Sequence, residues 1–204
     1  MPSRAIWVAQ TGIFLALLIV AQIVTRPFGN SILTGSLNNM LFILTLMVCG
    51  LSSAIILSAI SPIIAFLMGM APFWPFIPVI IVGNIVLVVL WHFIALKRDE
   101  TQGDVSSTQA TQGDGSSVFR KGKKHRRTVP LRYILALVCA AVAKFLVLFF
   151  GIVHIVVPLI LSLQEPQASV VSAAFSYPQI ITACIGGVLA MLLFPVLRKA
   201  LPKR

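Results

Sequence analysis

Apolar positions along this chain gather into six long runs, over 5–25, 32–49, 51–70, 78–96, 131–161 and 177–197. Each has roughly the ~20 residues that a helix needs to cross the hydrocarbon core of a bilayer. Arg26-Pro27 ends the first run, which is too long an apolar stretch for a cleaved leader. The second and third meet at Gly50-Leu51-Ser52-Ser53, a tight helical hairpin. Ala71-Pro72-Phe73-Trp74-Pro75-Phe76-Ile77-Pro78 then carries three prolines, which forbid a continuous helix. Pro78 suits the first position of the fourth helix. The pattern predicts an all-α integral membrane protein, a single domain of six transmembrane helices.

Composition agrees with a bilayer. The 204 residues are 58% hydrophobic and 10% charged, against about 25% charged in a soluble domain. A water-soluble fold of this size would lack the polar surface to cover such a core. A large soluble catalytic domain is excluded.

The net charge of +11 suggests nucleic acid until its distribution is considered. Of the 16 basic residues, Arg4 stands at the start, nine lie between Lys97 and Arg132, and four end the chain. Six spans place all fourteen on one side, as expected of cytoplasmic segments, and give an N-in/C-in topology. Only Arg26, in an outer loop, and Lys144 remain. The basic clusters therefore orient the chain and meet anionic lipid, and no nucleic-acid partner is expected. The 97–130 segment between spans four and five repeats Thr101-Gln102-Gly103-Asp104 as Thr111-Gln112-Gly113-Asp114. Its few apolar residues predict a flexible cytoplasmic linker.

All five acidic residues, Asp99, Glu100, Asp104, Asp114 and Glu165, fall outside the spans. Intramembrane enzymes and proton-coupled carriers generally need a carboxylate or metal site there. His92, His125 and His154 are too scattered for a metal triad, and Cys49, Cys139 and Cys184 have no CxxC spacing. No GxxxxGK[ST] phosphate loop exists. Neither a catalytic centre nor a cofactor is expected. What remains is a passive carrier, a binding subunit driven by another protein, or a structural protein.

Lys144 is the only charge deep in an apolar run, about 20 Å along its helix. It faces the bundle interior or a wet cavity, either as countercharge to an anionic ligand or satisfied by helix carbonyls and hydroxyls. Asn38, Asn84, His154 and Gln179 lie in the outer halves of four different spans. Beside them is the aromatic loop with Phe73, Trp74 and Phe76. Polar groups converging beneath an aromatic loop describe a small-molecule pocket with a lid. Each has a plainer alternative: interhelical glue for Asn84 and Gln179, an interfacial position for His154, and helix capping for Thr34 to Asn39. Small residues mark another face. Ala5, Ala9, Gly12 and Ala16 recur every three or four residues on the first helix, a spacing that allows close helix approach in lipid. Ala54, Ser58, Ser61 and Ala65, and Ala183, Gly186 and Ala190, form similar rows. Such stripes fit a partner surface or an internal seam equally well.

Three stretches resemble a known family. They are Thr34-Gly35-Ser36-Leu37-Asn38-Asn39, Ser61-Pro62 through the proline-rich loop to Gly83-Asn84, and Tyr177-Pro178-Gln179-Ile180-Ile181-Thr182-Ala183 with Gly186-Gly187. The chain is similar there to the substrate-binding S components of energy-coupling factor (ECF) transporters. The resemblance covers nearly everything except 97–130, an insert that departs from the compact family pattern. Ala5 and Ala9 match the family's AxxxA motif, which Gly12 and Ala16 extend. It implies a six-helix protein of the bacterial plasma membrane that captures a vitamin or related micronutrient on the outer side. Such a protein docks onto a transmembrane coupling protein carrying two ATPases, and topples to release its ligand inside. A stand-alone carrier or channel and a membrane assembly protein are the alternatives.

Overall fold

Helix accounts for 92% of the residues described by the computed structural model, which are 4–70, 73–96, 131–161 and 167–200; no strand occurs among them. Six long helices and one short one make up this part of the chain. They are α1 (Arg4–Thr25), α2 (Ser31–Cys49), α3 (Leu51–Leu67), α4 (Phe76–Trp91), α5 (Leu131–Leu148), the short α6 (Gln167–Ala174) and α7 (Pro178–Ala200). With their helical extensions, five segments are long and apolar enough to cross a membrane. α3, at 17 residues, is at the lower limit of such lengths. The all-helical membrane architecture expected from the apolar runs is present. The 97–130 linker and Glu165 lie outside the described residues.

The helix ends follow from local chemistry. Asn30 caps α2, its Oδ1 accepting from the backbone N–H of Ile32 (2.9 Å) and Leu33 (3.3 Å). Thr34 and Asn38 therefore lie inside the helix and do not cap it. A single residue, Gly50 at φ +97°, joins α2 to α3, a backbone conformation that side chains disfavour. α4 starts at Phe76, two residues earlier than expected, so Pro78 occupies its third position. The amides of the first turn have no helical acceptor, so proline is accommodated there too.

Two helices do not stay α-helical. α4 continues as a π-helix over His92–Leu96, and α5 over Phe149–Leu161. A π turn closes i→i+5 and takes in an extra residue, which rotates everything beyond it relative to an α-helical count. α6 is not foreseen by the apolar runs at all.

α2 lies centrally, packed against α1, α3, α4 and α7. Ala54, Ser58 and Ser61 on α3 and Ala183, Gly186 and Ala190 on α7 are buried, so these small-residue rows are internal seams. The α2–α7 crossing is the tightest. A Cβ on Gly186 would stand 2.6 Å from the Ser36 carbonyl oxygen, 2.7 Å from Asn39 Cβ and 2.8 Å from the Met40 amide nitrogen. Two apolar clusters result. The larger contains Leu18, Phe42, Leu57 and Trp91; the smaller contains Phe76, Leu148, Ile152 and Val156.

Candidate ligand-binding site

Phe42 of the larger cluster and Leu148 of the smaller one both line a cavity of about 500 Å³ between helices. That volume falls within the range of small-molecule pockets. Exposed Arg26, Gly29, Asn30 and Ser31 form its rim, and the chain turns there between α1 and α2. Lys144 and Asn39 lie deeper, and Asn38, Asn84 and Gln179 also line the walls. Four of the six expected ligand-binding residues thus meet in one space.

Lys144, only 5% exposed, donates from Nζ to Asn39 Oδ1 at 2.6 Å. Its partner is therefore a side-chain amide, neither a helix carbonyl nor a hydroxyl. Asn39 Nδ2 donates to Thr182 Oγ1 (3.4 Å), which donates to the Gln179 carbonyl (3.0 Å). The chain of bonds ties α5 through α2 to α7. Burying an amine is costly unless it is hydrogen-bonded, and Asn39 supplies the one acceptor it has among the described residues. None of the five acidic residues of the chain belongs to the described residues.

Asn84 has a structural task as well. Pro62 lies inside α3 and has no N–H to offer the Ser58 carbonyl four residues earlier. Asn84 Nδ2 donates to that carbonyl at 3.3 Å, which locks α4 to the proline-containing turn. Asn38 differs: its Oδ1 is buried and has no partner among the described residues. Gln179 Nε2 reaches the Ala174 carbonyl at 3.4 Å, beside the cavity.

His154 and Trp74 do not belong to the lining. His154 is exposed beside Phe149 and Phe150, with ring centroids 4.9 and 5.4 Å away. Between Lys144 and His154 the helix becomes π at Phe149, which shifts the phase of the residues beyond it. Trp74 is 68% exposed. The aromatic ring beside the polar groups is instead Phe175, which lines the cavity and packs against the fully buried Phe76, ring centroids 5.4 Å apart.

The structure adds Arg26, Thr25, Thr34 and Asn39 to the site. Thr34 Oγ1 donates to Thr25 Oγ1 at 2.8 Å, joining α1 to α2 near the rim. The sequence held one usable signal. Gly35, Asn38, Asn39 and Phe42 recur at three- and four-residue spacings, so they share one face of α2.

Ala5, Ala9, Gly12 and Ala16 are all exposed, and nothing lies within 4 Å of where a Gly12 Cβ would be. The buried stripe of α1 is Phe14, Leu18, Gln22 and Thr25 on the opposite side. Gln22 Nε2 donates to Ser61 Oγ at 3.0 Å, which anchors that side to α3.

A multi-pass helical membrane bundle around a cavity of small-molecule size, lined by both polar and apolar side chains, is the class that fold and site define. Residues 8–198 match the family described as "ECF transporter, substrate-specific component", and the chain belongs to that family. No curated protein and no solved structure matches it. It is therefore a membrane subunit of a transporter family, with substrate binding as its share of the work; the family's members are not enzymes.

Proposed function

We propose that this chain is the substrate-capture subunit of an ATP-driven importer for a vitamin or related micronutrient in the bacterial plasma membrane. The cavity carries the proposal: helices that are far apart in sequence converge polar side chains on one space whose rim is the α1–α2 turn. With the basic segments in the cytoplasm, this rim faces outward. Lys144, Asn38, Asn39, Asn84 and Gln179 hold the ligand, with Phe175, backed by Phe76, as its aromatic wall. His154 and Trp74 have no part in this arrangement. The exposed Ala5, Ala9, Gly12 and Ala16 face docks onto a transmembrane coupling protein with two ATPases, and ligand leaves on the cytoplasmic side after docking.

The sequence contains no GxxxxGK[ST] phosphate loop, and on this reading the chain binds ligand while its partners drive transport. Liposomes containing this chain alone are expected to retain tracer vitamin at no more than one molecule per chain, released by detergent and not chased by the internal volume. Accumulation proportional to internal volume identifies a stand-alone carrier or channel instead.

A further inference from the structure

Two cations bracket the cavity. Lys144 lies deep in it, hydrogen-bonded to Asn39. Arg26 stands on the rim, exposed, with its guanidinium lying across Gly69: a Gly69 Cβ would be 3.7 Å from Nη2. Asn39 is about 13 Å along α2 from the Asn30 cap, at 1.5 Å per residue. The two charges therefore mark the floor and the mouth of one space. No carboxylate balances either of them among the described residues, because all five acidic residues lie elsewhere in the chain. The remaining polar lining is amide and hydroxyl, and Asn38 adds a buried oxygen awaiting a donor.

A buried amine with one neutral acceptor is costly to maintain in a bilayer, and an anion beside it offsets that cost. The second cation lies where an entering solute passes first. We propose that the cavity selects an organic acid, its carboxylate or phosphate seated against Lys144 at the floor, with Arg26 drawing it in at the mouth. The free Asn38 Oδ1 accepts an N–H or O–H from the body of the same molecule. This rests on the cavity being the substrate site, and goes further by fixing the charge of the substrate.

The two cations act on different rates. A rim charge governs association and its salt dependence, whereas a buried charged contact governs dissociation. The test uses acids paired with neutral counterparts: nicotinate with nicotinamide, pantothenate with panthenol, and biotin with biotinamide. Each is titrated against the full chain in lipid nanodiscs. The acid of a pair that binds is expected to do so about tenfold or more tightly than its neutral partner, the scale of a hydrogen bond to a charged group. Lys144→Met should abolish this preference through faster dissociation. Lys144→Gln, which keeps an N–H for Asn39 and so protects folding, should do the same. Arg26→Gln should slow association and flatten its salt dependence, leaving dissociation unchanged. Tighter binding of the neutral member overturns the proposal, as does a preference that survives both Lys144 substitutions. Neutral binding that is lost in Asn38→Leu would still leave the cavity as the capture site, so the two readings fail separately.

Discussion

Replacing Ala9 and Gly12 together by leucine is expected to abolish co-purification with a coupling protein while leaving ligand affinity and thermal stability unchanged. Helices in lipid associate largely through close backbone approach at small residues, because lipid offers no hydrophobic driving force between them. Ala5, Ala9, Gly12 and Ala16 give α1 such a strip, exposed along its length. The contacts of α1 with its own bundle run along Phe14, Leu18, Gln22 and Thr25 on the other side, so added side chains meet nothing internal. Size-exclusion analysis of the mixed subunits reads docking, and a thermal melt with ligand titration reads the rest. Loss of ligand binding together with docking would make the strip part of the bundle's own packing.

Gly186→Val is expected to have the opposite profile. The new side chain would be driven into the backbone of α2 at Ser36 and Met40 and against Asn39 Cβ. Backbone cannot rotate away as a long side chain can, so the helices must separate. Overpacking typically costs about 1–3 kcal/mol, and this site lies at the upper end. Moving α2 also displaces Asn39 from Lys144, so ligand affinity falls with stability. Gly12→Ala is the matching control. With open space around it, alanine should be neutral or stabilise by up to ~1 kcal/mol through helix propensity. A Gly186→Val chain with unchanged melting and binding would mean that α2 and α7 do not cross this closely.

Hydropathy made the helices legible, because a bilayer-crossing segment declares itself by composition within its own length. Asn38, Asn84 and Gln179 are legible as outer-half positions, with His154, and Lys144 as a charge deep in its span, because polar groups inside apolar runs are few. Their partners were hidden. The Lys144–Asn39 bond spans 105 positions, and no local pattern encodes such a distance. Asn84 lines the cavity, and its amide is also engaged by a carbonyl that Pro62 leaves free. Both halves of that pair stood in the sequence, but only the α3–α4 packing joins them. His154 lies outside the lining, beyond a π segment that resets helical phase without a sequence signature. A proline-rich turn has no fixed period, so sequence does not tell that Trp74 is exposed and Phe76 buried. The small-residue rows on α1, α3 and α7 look alike in sequence, and only burial separates an exposed strip from two internal seams.

Substrate capture that requires partners for transport is most directly tested by uptake into proteoliposomes containing this chain, a coupling protein and its two ATPases. ATP on the cytoplasmic face should drive radiolabelled vitamin into the lumen against its gradient. Omitting this chain, or introducing the Ala9/Gly12 double leucine, should stop uptake, and liposomes holding this chain alone should bind without accumulating. Concentration of the vitamin by the chain alone, or ATP-driven uptake that continues without it, would contradict the assignment.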